Sequence, residues 1–158
     1  MKNMLLISLI ILVYSVSSPV SAKLSALEKS LILENGIIYR PLAGSSATAG
    51  YGTIINPTDE EVQIVGIEAE GFKASEIHTT IEENGLMKMR RIELIPISAK
   101  GRFELKPGGN HIMLFDSLRA FKSGDKVQVT FKTKKSKTAL PFIITERPTA
   151  EPVSHSHH

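Results

Sequence analysis

The stretch IHTTIEENGLMKMRRI, residues 77–92, is built around Asn84-Gly85, the dipeptide best suited to a two-residue β-turn. Runs of strand length lie to either side of it, so the stretch predicts a hairpin. With Asn84-Gly85 at its centre, facing residues have numbers summing to 169, which sets Met89 opposite Thr80 and Met87 opposite Glu82. Side chains two apart share a face of a strand. With a two-residue turn, His78, Thr80 and Glu82 are predicted on the same face as Met87 and Met89, with His78 and Met89 as diagonal neighbours; a four-residue loop keeps this parity and a three-residue bulged loop breaks it.

The same punctuation runs through the chain from about Leu31. Asn35-Gly36, Asn56-Pro57-Thr58-Asp59, Pro107-Gly108-Gly109 and Ser123-Gly124-Asp125 separate short apolar or alternating runs such as 50–55, 62–69, 102–105, 126–132 and 139–145. Helical periodicity is nowhere sustained over three turns, and 116–121 could form one turn at most. These features predict an all-β sandwich or barrel of about seven to eight strands.

Residues 1–22 read as a cleaved signal peptide: Lys2, the apolar run Leu5 to Val13, then small residues ending in Val20-Ser21-Ala22. The apolar run is shorter than the roughly 20 residues a spanning helix needs, so the mature form is expected not to span a membrane. No cysteine stands near the cut to carry a lipid, and none occurs anywhere in the 158 residues. Stability must come from a packed core without disulfides, and roughly 125 ordered residues suffice for one. The domain is expected over 23–146, followed by a disordered tail, 147–158, that ends Ser154-His155-Ser156-His157-His158. Serine interrupts those histidines, which favours a native metal-gathering tail over an expression-tag remnant.

Residues 1–22 contain one lysine and no acidic residue, so the net charge falls from +3 to +2 without them. That balance gives no reason to expect nucleic acid as a partner. The single basic cluster, Lys132, Lys134, Lys135 and Lys137, reads as a solvated hairpin tip or a lysine-protected edge strand, with docking of an acidic partner as the lesser option.

Beyond the leader the methionines are Met87, Met89 and Met113, and the body has two histidines, His78 and His111. All five fall within 36 residues, whereas methionines that merely fill a core scatter among the strands. In GGNHIMLF, residues 108–115, His111 and Met113 point one way and Ile112 and Leu114 the other, into the core. Two strands could thus bring one imidazole and one thioether each to a common pocket. Uncharged thioether sulfur favours Cu(I), imidazole suits copper and zinc, and zinc ordinarily recruits thiolate, histidine or carboxylate. The bland alternative is two core methionines and two ordinary surface histidines. Phe115, next on that face, would shield the rim or pack in the core. A blue-copper electron-transfer site or oxidase would call for a cysteine thiolate, and no nucleophile-elbow motif points to hydrolysis, so an enzyme is not expected. A β-sandwich adhesion or assembly module is the remaining class.

The spacing from His78 through Met89 and His111 to Met113 resembles the H-x(10)-M-x(21)-H-x-M signature of the PCuAC family (formerly DUF461) of periplasmic copper chaperones. ENGLMKM, LKPGGNHIML, SGDKVQVTF and AGYGTIIN are similar to segments of that family, and the likeness covers about Ile37 to Thr145. Family members often carry an aromatic before the arginine of the first strand; here Tyr39 precedes Arg40 after Ile37-Ile38. The resemblance implies a cupredoxin-like β-sandwich, a monomer in the periplasm, holding one Cu(I) through His78, Met89, His111 and Met113. It implies delivery to the dinuclear copper centre of cytochrome c oxidase subunit II, with a Sco-type chaperone as a further partner. A copper-sequestering protein without a dedicated recipient is the other outcome. Met87 lies outside the signature and is a secondary candidate, as are His155, His157 and His158, which could take Cu(II). Such a carrier is expected to keep its site near the surface, with His111 and Met113 following a flexible Gly-Gly.

Overall fold

The computed structural model describes residues 31–148. Residues 1–30, on which the expected signal peptide 1–22 falls, and the tail histidines His155, His157 and His158 lie outside the described residues. Ten strands make up the fold: β1 (Ile32–Tyr39), β2 (Ala47–Ile55), β3 (Val62–Ala69), β4 (Phe72–Glu83), β5 (Leu86–Arg91), β6 (Ile95–Ile97), β7 (Arg102–Leu105), β8 (Asn110–Ser117), β9 (Lys126–Thr133) and β10 (Lys137–Thr145). The all-β expectation holds, and no helix occurs among the described residues. Residues 116–121 end a strand and bend without forming a helical turn.

The strand count exceeds the predicted seven to eight, and one expected turn lies inside a strand. β6 is three residues long and contains Pro96, too short for alternation to reveal. Asn35-Gly36, which reads as a turn, is instead a bulge inside β1, where the pairing with β2 shifts between Glu34 and Ile37. Asn35 takes φ 53° there, and Gly52 opposite takes φ 148°. A Cβ on Gly52 would stand 3.0 Å from the Gly36 Cα and 3.1 Å from the Glu34 oxygen, so the bulge depends on glycine at 52.

The strands follow the order β5-β4-β8-β2-β1-β10-β9-β3-β6, with β7 also on β2. Ala47 to Gly50 of β2 pair with β8, and Gly52 to Ile55 pair with β7. Among the described residues only β1 and β10 run parallel; the other pairs are antiparallel. The sheet folds over so that β3 also packs beside β4. Ile77, Ile112 and Leu114 from one half meet Val127, Val129, Phe131, Phe142 and Ile144 from the other in one core, joined by Ile38 and Ile54. Val127, Val129 and Phe131 show the period of two that half-buried strands impose.

Asn56 is buried at the end of β2 and every polar atom of its side chain is used. Its amide nitrogen donates to the carbonyls of Glu60 (2.7 Å), Ile97 (3.0 Å) and Ser98 (3.0 Å), and its oxygen accepts from the backbone N and hydroxyl of Thr58. One side chain thus ties the β2–β3 turn to β6. The lysine cluster forms the β9–β10 hairpin tip, where Lys132 pairs with Glu68 and Lys135 Nζ with Glu60 at 3.1 Å. Both strands lie inside the sheet, so the cluster does not guard an edge.

Candidate metal centre

Asn84 and Gly85 have φ of 56° and 76°, the left-handed pair a two-residue hairpin turn requires. The resulting register sets Thr80 opposite Met89, Glu82 opposite Met87 and His78 opposite Arg91. On its other side β4 pairs with β8, where His78 faces His111, Ile77 faces Ile112 and Glu76 faces Met113. Directly opposed residues of antiparallel strands share a face. One face therefore carries Met89, His78, His111 and Met113, while Ile77, Ile112 and Leu114 enter the core behind it.

His78 is the centre of this arrangement. His111 is its lateral neighbour, and Met89 and Met113 lie on opposite diagonals, within reach of long side chains. The imidazole centroids of His78 and His111 are 6.2 Å apart, and the Phe115 ring lies 6.3 Å from that of His78 at the rim. Met87 sits on the same face one position further towards the turn, beyond Met89 from the histidines.

Hydrogen bonds fix which ring nitrogens are free. His111 Nδ1 lies 3.0 Å from the carbonyl oxygen of Gly109, an acceptor only, so Nδ1–H donates and Nε2 keeps its lone pair. The same carbonyl accepts the Thr80 backbone N at 3.2 Å. His78 Nε2 lies 2.7 Å from Glu76 Oε2, and Arg91 Nη1 donates to Glu76 Oε1 at 2.9 Å.

The face is graded in exposure. His111 is only 6% exposed and Met113 is half-buried, whereas Met89 is 61% exposed. A surface position thus holds for Met89 and not for His111, because His111 lies on an interior strand flanked by β4 and β2. The Gly108-Gly109 segment is also more constrained than expected. Gly109 N donates to Lys106 O (3.1 Å) and Lys106 N to Asn110 O (2.7 Å), closing a tight turn between β7 and β8.

Three side chains escaped the sequence reading. Tyr51, on β2, places its ring 6.5 Å from His111 and edge-on to Tyr39 at 5.3 Å. Burial pushes the Tyr51 phenol above its ordinary value, Tyr39 adds to the rise and Arg147 opposes it. Glu76 and Arg91 are the other two, and both could have been found by counting. Glu76 is two before His78, and Arg91 with His78 sums to 169, like the hairpin's other pairs. Among the described residues no group of three or more His, Cys, Asp or Glu is placed to hold an ion. Metal binding on this face would therefore draw on the thioethers.

A β-sandwich bearing paired imidazoles and thioethers on one sheet face defines a class of small domain suited to a soft metal ion. The sequence profile of the family described as "Putative lipoprotein LpqE-like" matches residues 31–140, and the chain belongs to that family. The word lipoprotein is the family's; the 158 residues hold no cysteine. Among curated proteins, the uncharacterized protein RP573 of Rickettsia prowazekii (strain Madrid E) is 37% identical over 87 residues, 54% of this chain and 48% of that protein. The putative lipoprotein Lxx21020 of Leifsonia xyli subsp. xyli (strain CTCB07) is 30% identical over 98 residues, 61% of this chain and 59% of that protein. The chain thus spans only about half to three-fifths of the curated relatives it matches.

Solved structures share the fold at low sequence identity. The apo PCuAC domain from PmoF1 superposes with a TM-score of 0.61 at 21% identity, covering 75% of this chain and 95% of that domain. The copper-bound PCuAC domain from PmoF2 gives 0.61 at 18%, covering 75% and 94%. The Cu(I) form of DR1885 from Deinococcus radiodurans gives 0.56 at 24%, covering 80% and 85%.

Proposed function

We propose that this protein is an exported copper carrier that binds one Cu(I) through His78, His111, Met113 and Met89 and passes it on by ligand exchange. The observation that carries the proposal is the register: β4 sets His78 directly against His111, with a methionine on each diagonal. Two neutral imidazoles and two thioethers suit a soft monovalent ion and offer no thiolate or carboxylate for zinc. Thioethers also resist loss to disulfides in an oxidising compartment, which suits the periplasm. Copper-bound solved domains of the same fold support the metal assignment.

The graded exposure supports delivery over catalysis. His111 and Met113 are held on an interior strand, while Met89 stands open on the outermost strand, where an acceptor's ligand could replace it. Met87, two residues away on the same strand face, offers a second exposed thioether on that route. The family resemblance points to the dinuclear centre of cytochrome c oxidase subunit II as recipient, with a Sco-type chaperone as co-worker. Tail histidines His155, His157 and His158 would add Cu(II) capacity.

An anaerobic Cu(I) titration against a chromophoric chelator tests this, comparing wild type, a tail deletion and the Met89→Ala plus Met113→Ala double variant. Tight one-to-one binding is expected to survive tail deletion and to be lost in the double variant. Binding that survives loss of both methionines rules the site out.

A further inference from the structure

Glu76 has no place in the proposed ligand set, yet both of its oxygens are committed. Oε2 lies 2.7 Å from His78 Nε2, and Oε1 accepts from Arg91 Nη1 at 2.9 Å. The contact with His78 is sheltered, the side chains being 27% and 17% exposed, and Arg91 stands on the strand to the other side of His78. An ionised carboxylate only accepts hydrogen bonds, so His78 must donate Nε2–H to it. In the neutral rings the lone pair of His78 then sits on Nδ1, whereas that of His111 sits on Nε2.

We infer that Glu76 is a positioning residue for the copper ligand His78: anchored by Arg91, it holds the ring in the Nε2–H tautomer and offers Nδ1 to the metal. The inference rests on the proposed copper site for its consequence, though not for the tautomer itself. Carboxylates that take the second N–H of a ligating imidazole fix its orientation and raise its basicity, and their loss typically lowers metal affinity 10–100-fold. The arrangement also keeps both oxygens of Glu76 engaged. With one oxygen on His78 and the other on Arg91, the carboxylate next to the two imidazoles is not free to complete a hard-ligand set for a divalent ion.

The test has one arm without copper and one with it. Long-range proton–nitrogen spectra of the metal-free protein, with its imidazoles neutral, are expected to show His78 as Nε2–H and His111 as Nδ1–H. A His78 ring that is Nδ1–H, or a mixture of tautomers, overturns the inference. In Glu76→Ala the His78 ring is expected to lose its single tautomer and Cu(I) affinity to fall about tenfold or more. Glu76→Gln keeps an accepting oxygen and is expected to restore the tautomer and most of the affinity. Backbone amide spectra check that both variants are folded. If wild type binds Cu(I) and neither variant differs from it, or Glu76→Ala binds more tightly, positioning by Glu76 is refuted and the copper site stands. If wild type takes up no Cu(I), the proposed function fails, and the tautomer spectra alone decide the role of Glu76.

Discussion

His78 and His111 face each other directly across β4 and β8, their rings 6.2 Å apart, yet each is held by a different kind of partner. His111 donates to a backbone carbonyl in a buried setting, and His78 to a carboxylate nearer the surface. The two should therefore differ in what their removal costs. His111→Ala is expected to lower stability by about 2 kcal/mol, since it opens a buried space and removes one of the two donors to the Gly109 carbonyl. It should also abolish tight Cu(I) binding. Thermal unfolding together with chelator competition reads both effects.

Met89 gives the contrasting case. Its exposed side chain buries little, so Met89→Ala is expected to change stability by less than about 0.5 kcal/mol. Cu(I) affinity should nevertheless drop by more than about 100-fold, because loss of an outer partner alone costs 10–100-fold. Equal affinity in this variant would remove Met89 from the ligand set.

The hairpin turn sets the parity of the site. Gly85→Val puts a β-branched residue at φ 76° and is expected to destabilise by about 1 kcal/mol or more. Inserting one residue between Asn84 and Gly85 should be more informative. If the β4–β8 pairing and a two-residue turn are both kept, the insertion turns Met87 and Met89 to the opposite face. X-ray absorption of the copper-loaded insertion variant is then expected to show one sulfur scatterer fewer than wild type.

Asn56 predicts the reverse dissociation of stability from binding. Asn56→Ala removes a buried donor shared by the carbonyls of Glu60, Ile97 and Ser98 and is expected to cost about 3 kcal/mol in denaturant unfolding. Copper affinity of the folded fraction should stay unchanged, since the residue ties β2 to β6 and touches no candidate ligand.

The pH response has a defined sign at one exposed pair. The hydrogen bond from Lys132 holds the Glu68 carboxyl below its ordinary range. A folded value below the unfolded one contributes stability above about pH 4.3, lost as pH falls through the folded value. Glu68→Gln is expected to flatten that part of the acid limb in a stability profile. Added salt should have the same effect on wild type, because the pair is exposed and screened.

Much of this was legible by counting. One Asn-Gly dipeptide set the register of a hairpin, and the alternation of Ile112 and Leu114 with His111 and Met113 separated core from site. What could not be counted was which strand lies beside β4. The pairing of His78 with His111 joins residues 33 apart across an intervening segment, so it depends on the tertiary fold. Burial of His111 followed from the same placement, since only an interior strand hides a side chain beside a glycine turn. Asn35-Gly36 misled in the other direction. Its local preference for φ > 0 was satisfied by a bulge opposite Gly52, and a dipeptide alone does not distinguish bulge from turn.

The outermost strand has a kinetic consequence. All six residues of β5 are exposed, and among the described residues it pairs with β4 alone. Opening such a strand locally costs far less than unfolding the core behind it. Three of the four proposed ligands stay on interior strands while Met89 fits a part of the molecule that can fray and re-zip. The residence time of a bound ion would then follow the opening rate of one hairpin rather than the stability of the whole domain, and amide hydrogen exchange along 86–91 would report it. A protein built this way can be globally rigid and still let go.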